Sequence, residues 1–239
     1  MLDDKVLESY INGFYGYGNF QSPFWFIGME EGGGNSIGEI IKRISVWDNR
    51  GQQIIEDLFD YHLKIGITQF FGQRAKLQKT WSQLIRVIFG IYESDFENEK
   101  IREYQNRFLG RKNGETCLLE LLPLPAPSIN DWLYGKYSRI DYLSNREKYI
   151  GAVPEFRIPF IKEKIKESNP KAVVFYGSTY ENYWTKIAGI VGFPENKNGI
   201  PYYRNANTIF LSAKHPAAKG ITNEYFYQVG TLIKEEIDF

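Results

Sequence analysis

Four short apolar runs, each closed by a turn residue or a polar cluster, constrain this chain more than any other feature. Pro23-Phe24-Trp25-Phe26-Ile27 stops at Gly28, and Thr116-Cys117-Leu118-Leu119-Glu120-Leu121-Leu122 stops at a proline-rich loop, Pro123 to Pro127. Lys171 to Tyr176 stops at Gly177, and Asn207 to Ser212 gives way to Lys214 and His215. Runs of this length, bounded by turn signals and lacking polar alternation, predict strands buried on both faces. Helical spacing fills the intervals at Asp3–Asn12, Ser36–Ser45, Gln52–Leu63, Ala75–Phe89, Glu97–Phe108, Pro154–Ser168, Thr179–Ala188 and Thr222–Glu236. Pro154 sits near the start of its helix, where proline is favoured, Ser178 is placed to cap the next one, and Tyr202 marks a short extra strand. The alternation predicts an α/β fold, a three-layer α/β/α sandwich around a central, mostly parallel four-stranded sheet, with residues 1–239 forming one domain. Ligands of such sheets bind beyond the carboxyl ends of the strands. The loops at Gly28, Pro123 and His215 are therefore expected to meet at one edge.

Composition narrows the function classes. Hydrophobic residues make up 43% of 239, enough for a full core, and the formal net charge is zero. Zero net charge excludes a globally basic surface but leaves room for a local basic face. Cys117 is the single cysteine, so neither an internal disulfide nor a cysteine metal cluster can form. A lone cysteine makes a reduced, cytoplasmic setting the default expectation. The polar, acidic opening Met1-Leu2-Asp3-Asp4-Lys5 does not read as a signal peptide. No apolar run approaches the roughly 20 residues that span a bilayer, so no membrane partner is expected. No cofactor and no metal site is read from the sequence, and no obligate protein partner is evident.

Two loops carry the candidate chemistry. Gly28-Met29-Glu30-Glu31-Gly32-Gly33-Gly34 embeds two adjacent carboxylates among four glycines. Glycine lets backbone approach a ligand closely and take positive φ, and a carboxylate held there can orient water or stabilise a cation. A phosphate-binding role fits less well, because the loop lacks the Gly-Lys-Ser/Thr ending and two glutamates repel phosphate. The second loop is Lys214-His215-Pro216-Ala217-Ala218-Lys219-Gly220. His215 directly follows a strand, where it can donate to negative charge developing on a substrate. The other histidine, His62, lies in a helical stretch of mixed polarity and reads as structural or exposed.

Together these segments resemble the uracil-DNA glycosylase superfamily. Gly28-Met29-Glu30-Glu31-Gly32 is similar to the first motif of that family (GQDPY, GINPG or GEAPG), and His215-Pro216-Ala217-Ala218 to its late HPSP-like motif. The strand around Glu120 resembles the family's LLN strand, and Val173 to Gly177 its VV-LG strand. The resemblance implies a DNA partner, a nucleotide flipped into a pocket, and scission of the glycosidic bond through an oxocarbenium-like state. It implies that Glu30 acts on the attacking water and that His215 stabilises the departing base. Glu31 stands where the family has proline, which leaves open which glutamate is catalytic. Gly28, Met29, Gly32 and Glu120 fall on base-binding positions, and Lys214, Lys219 and Ser178 on positions near DNA.

Two departures bear on the base. Gly32 replaces a tyrosine that in several members blocks 5-substituted pyrimidines. Glu120 replaces the asparagine that reads uracil. A carboxylate accepts from a cytosine amino group, and its protonated form can also donate to N3. The expectation is therefore a DNA glycosylase for a cytosine-type base, enlarged at C5 as in phage DNA, serving antiviral defence. The alternatives are a uracil-DNA glycosylase of base-excision repair, a noncatalytic DNA- or nucleotide-binding module on the same fold, and a small-molecule hydrolase using the Glu30/Glu31 pair. Arg74, Lys76, Lys79, Lys136, Arg139, Lys214 and Lys219 could line a DNA groove. Trp132, Tyr134 and Tyr137 could stack on a base, although the core is their commoner place.

Overall fold

The computed structural model describes residues 2–128 and 130–237. In chain order the elements are α1 (Asp4–Gly13), β1 (Gly16–Tyr17), β2 (Phe24–Glu30), α2 (Ile37–Asn49), β3 (Ile55–Glu56), α3 (Leu58–Ile65), α4 (Lys79–Ile91) and α5 (Asn98–Arg107). There follow β4 (Thr116–Leu122), α6 (Tyr134–Tyr137), α7 (Arg146–Ser168), β5 (Ala172–Tyr176), α8 (Glu181–Ala188), β6 (Glu195–Lys197), β7 (Ile200–Arg204), β8 (Ile209–Ala213) and α9 (Asn223–Glu236).

The four apolar runs form the centre of the sheet. β4, β2, β5 and β8 lie side by side and all pair in parallel. Nearly every residue along them is buried, as strands covered on both faces require. The α/β class is therefore correct, but the sheet has eight strands rather than four, in the order β3-β1-β4-β2-β5-β8-β7-β6. β1 adds antiparallel to β4, with β3 parallel beyond it. β7 and β6 extend the other side as an antiparallel pair. The missed strands are too short or too polar to signal themselves. β1 and β3 have two residues each, and β6 is exposed throughout. From β2 the chain crosses to β4 on one side and later to β5 on the other. The crevice beyond their carboxyl ends is thus a topological switch point, where open α/β sheets bind ligands.

Three local expectations are corrected. The stretch Gln52–Leu63 is not one helix. It holds β3 and then α3, which Asp57 caps by accepting from the Asp60 N–H. Helix α7 does not begin at Pro154. It begins at Arg146 behind the Asn145 cap and carries Pro154 and Pro159 inside its 23 residues. Ser178 is not a helix cap. Gly177 takes φ 100°, a 3₁₀ turn covers Ser178–Tyr180, and α8 starts at Glu181 with no side-chain cap among the described residues.

Two buried arginines tie layers together. Arg157 on α7 donates to the carbonyls of Leu121 (2.7 Å), Glu120 (3.0 Å) and Ile11 (2.7 Å), joining α7, β4 and α1. Arg43 makes comparable contacts at the carboxyl-end edge of the sheet, with Glu31 and the Tyr17 hydroxyl. Helices α4 and α9 run side by side in the same direction. Gln83 Nε2 donates to Asn223 Oδ1 at 2.9 Å, and a methyl on Gly90 or Gly230 would run into the backbone of the other helix. No described helix is long and apolar enough to cross a membrane.

Candidate functional site

The glycine-rich loop leaves the end of β2 and enters α2 through a tight turn. Gly33 and Gly34 have φ of 124° and 71°, which side chains rarely adopt. Ser36 caps α2 by accepting from the Glu39 N–H, and Glu39 in turn accepts from the N–H groups of Gly34 and Asn35, both at 3.0 Å. A Cβ on Gly34 would lie 2.6 Å from the Pro125 carbonyl, so this loop and the proline loop are packed together.

Glu30 and Glu31, adjacent in sequence, have different partners. Glu30 closes β2 and takes a two-point contact from Arg146 at the start of α7, at 2.6 and 3.2 Å. Burial raises its pKa, and Arg146 offsets part of that rise. Glu31 accepts from Arg43 Nη1 at 2.7 Å and from the Tyr17 hydroxyl at 2.9 Å, both through Oε2. His62 Nε2 stands 3.4 Å from Oε1. Burial alone would raise the Glu31 pKa, but Arg43, then His62 and Tyr17, overcome it and hold the carboxyl down at about 2. Glu31 is thus a permanent anion near neutral pH. A cavity of about 430 Å³ opens beside it, lined by Gly32, His62, Phe70, Gln78 and Trp81 among others. A Cβ on Gly32 would meet nothing within 4 Å among the described residues.

Glu120 lies across from Gly28 in the β2–β4 register. Its Oε1 accepts from the Tyr176 hydroxyl at 2.6 Å, while Oε2 is buried without a hydrogen-bond partner among the described residues. A methyl on Gly28 would overlap both the Tyr176 ring and the Glu120 carboxyl, so only glycine permits this meeting. Burial is the main force raising the Glu120 pKa to about 8. The Tyr176 hydrogen bond opposes it, and the negative charges of Glu31 and Glu30 add to it.

Tyr176 also connects Glu120 to the His215 loop, with its ring centroid 6.2 Å from that of His215. The Ala217 N–H donates to His215 Nδ1 at 3.1 Å. That nitrogen is therefore an acceptor, and the proton of the neutral ring sits on Nε2. Partial burial of the ring, in a residue that otherwise faces solvent, with a smaller push from the Lys79 ammonium at the start of α4, lowers the His215 pKa and favours the neutral ring.

The expected site residues separate into groups. Gly28, Glu120 and His215 gather around Tyr176, with Glu30, Glu31 and Gly32 on the loop beside them. Met29, one residue from Gly28, points to the opposite face of β2. It lines a different cavity of about 570 Å³ with Arg146, Tyr180 and Tyr183. The Lys214 N–H donates to the Tyr225 hydroxyl at 3.1 Å, and its ammonium lies 5.3 Å from that ring's centroid. Lys219 and Ser178 are exposed. Tyr134 is core and Tyr137 is exposed, while Trp132 is half-buried and donates to the Leu143 carbonyl.

Sequence reasoning missed Tyr17, Arg43, His62, Arg146 and Tyr176. Arg43 did leave a signal, because it falls on the same helical stripe as Ile40, Ile44 and Trp47, all buried. A charge on a core stripe calls for a buried partner. His62 is not exposed: its Nδ1 contacts the Leu58 carbonyl at 2.8 Å, and its ring packs on Trp81. No known family model matches the chain, and no curated protein matches it.

Proposed function

We propose that the protein is a DNA glycosylase on a three-layer architecture like that of the uracil-DNA glycosylase superfamily. It flips a base out of DNA, preferring a cytosine-type base enlarged at C5, and leaves an abasic site. One observation carries this reading. A neutral His215 with its proton on Nε2 and an incompletely paired Glu120 flank the same tyrosine at the switch point of the sheet. The first supplies a donor for charge on a departing base, and the second supplies a group to read a base edge. Gly32 removes a steric barrier to a 5-substituent.

The two carboxylates divide the remaining work. Glu31, ionised and fixed, stabilises positive charge on the sugar. Glu30 orients the attacking water once Arg146 transfers to a DNA phosphate, an exchange open to a guanidinium that matches either anion. The test is incubation with oligonucleotides carrying cytosine, 5-hydroxymethylcytosine, glucosylated cytosine or uracil, followed by alkali cleavage. Cleavage at the cytosine-type bases supports the reading, and cleavage at uracil alone returns the chain to ordinary base-excision repair.

A second reading also rests on an observation. Both glutamates are already engaged by arginines, as suits a binding module of the same shape that breaks no bond. Abasic-site formation that disappears in Glu30→Gln distinguishes the enzyme from the module.

A further inference from the structure

The two oxygens of Glu120 have unlike surroundings. Oε1 receives the Tyr176 hydroxyl at 2.6 Å, and Oε2 is enclosed without a partner among the described residues. A bare carboxylate oxygen in that position carries a large desolvation cost, and a proton on Oε2 removes most of it. The negative charges of Glu30 and Glu31 favour the same outcome, Gly28 on β2 contributes no side chain, and the Tyr176 hydroxyl on β5, which donates to Oε1, opposes it without reversing it. Arg157 on α7 is the nearby cation, and its three donor contacts are with backbone carbonyls, including that of Glu120 itself.

We infer that Tyr176 is a specificity-determining residue: by donating to Oε1 it fixes Glu120 so that Oε2, enclosed beside Gly28, is the donor uncovered when a base enters, and the pair selects a base whose ring nitrogen is unprotonated. This deepens the proposed function and rests on it. A cytosine-type base offers the N3 lone pair to that donor, and the second lone pair of Oε1 can take its 4-amino proton. Uracil and thymine carry a proton on N3, which would face another donor and leave both groups unpaired, a strong basis for rejection.

The experiment is single-turnover excision of a cytosine-type base and of uracil from matched oligonucleotides, on both sides of pH 8, by the wild type, Glu120→Gln and Tyr176→Phe. The wild-type rate on the cytosine-type base should fall as pH rises through about 8. Glutamine presents a fixed donor, so Glu120→Gln should slow excision by less than about tenfold and lose that alkaline fall. Tyr176→Phe should narrow the preference over uracil by about tenfold or more. A Gln variant slowed about a hundredfold at every pH, or a Phe variant with unchanged preference, overturns the inference. The pairing itself is read without DNA. Isotope-edited infrared spectroscopy of the wild type should show a protonated carboxyl at neutral pH that vanishes in Glu120→Gln and shifts in Tyr176→Phe. An ionised Glu120 overturns the inference even where excision occurs. Absence of excision from every DNA overturns the functional reading and the base selection with it, and the infrared signal then decides the pairing alone.

Discussion

Two half-buried carboxylates, Glu31 just past the end of β2 and Glu120 on the neighbouring β4, have opposite surroundings. Glu31 is met by Arg43, Tyr17 and His62, and its charge is locked in. Glu120 has one neutral donor and, among the described residues, no partner for its second oxygen, and its charge is unfavourable up to about pH 8. Burial acts on both, so the partners decide the ionisation state. The carboxyl-end edge of β2 and β4 therefore favours an anion at Glu31 and a neutral acid at Glu120, an arrangement suited to a group with a cationic part and a part that reads hydrogen bonds.

The contrast can be broken most severely at Arg43. Arg43→Leu leaves Glu31 buried without its main partner and should cost about 3–5 kcal/mol, seen as a lower denaturation midpoint. A Glu31→Gln/Arg43→Leu double variant should recover part of that loss. The next effect is in the pH dependence of stability. Glu120 has a folded pKa near 8, above its ordinary 4.5, so the folded state holds a proton that the unfolded chain releases. Stability should decline from about pH 4.5 to pH 8, and Glu120→Gln should remove that decline. The gain above pH 8 should be on the order of a few kcal/mol, with little change at pH 4. Glu31 behaves in the opposite sense. Its folded pKa of about 2 lies below 4.5, so its contribution is present above pH 4.5 and is lost as pH falls towards 2. Glu31→Gln should flatten that acid limb by about 2–3 kcal/mol in urea melts at stepped pH.

Smaller changes sharpen the comparison. Gly28→Ala should force Tyr176 and Glu120 apart at a cost of about 1–3 kcal/mol and weaken the shifted infrared carboxyl signal. Gly32→Ala, in open space, should alter stability by less than about 0.5 kcal/mol. A bulkier Gly32→Tyr should leave the melting temperature similar while lowering excision of 5-substituted bases more than of unsubstituted ones.

Much of this was legible in the chain. The central strands announced themselves because burial on both faces leaves an uninterrupted apolar run, and the loops at Gly28 and His215 followed from where those runs end. Glu120, the single charge inside the β4 run, was reached through the resemblance of that strand to a family motif. What escaped was set by distance in sequence. Tyr17, Arg43 and His62 converge on Glu31 from a two-residue strand and two helices, and no local pattern records that meeting. Tyr176 read as the last residue of an apolar strand, because its hydroxyl has meaning only beside a glutamate 56 positions away. The cap expected at Ser178 failed for a similar reason. Trp184 Nε1 donates to the Gly177 carbonyl at 2.9 Å, and the chain takes a 3₁₀ turn before α8 begins.

The glycine contact between α4 and α9 has a consequence for genetics. Gly90 lies 11 residues along α4 from Lys79, about 16 Å at 1.5 Å per residue, and Lys79 is the charge that acts on His215. The segment carrying His215 leads directly into α9. A single added methyl at Gly90 or Gly230 would splay the two helices and shift both the Lys79 charge and the helix that follows the histidine segment. In an unbiased screen for loss of function, alleles should therefore accumulate at these two distant positions. A map drawn from such alleles alone would place part of the candidate site well along the helices from the residues that form it.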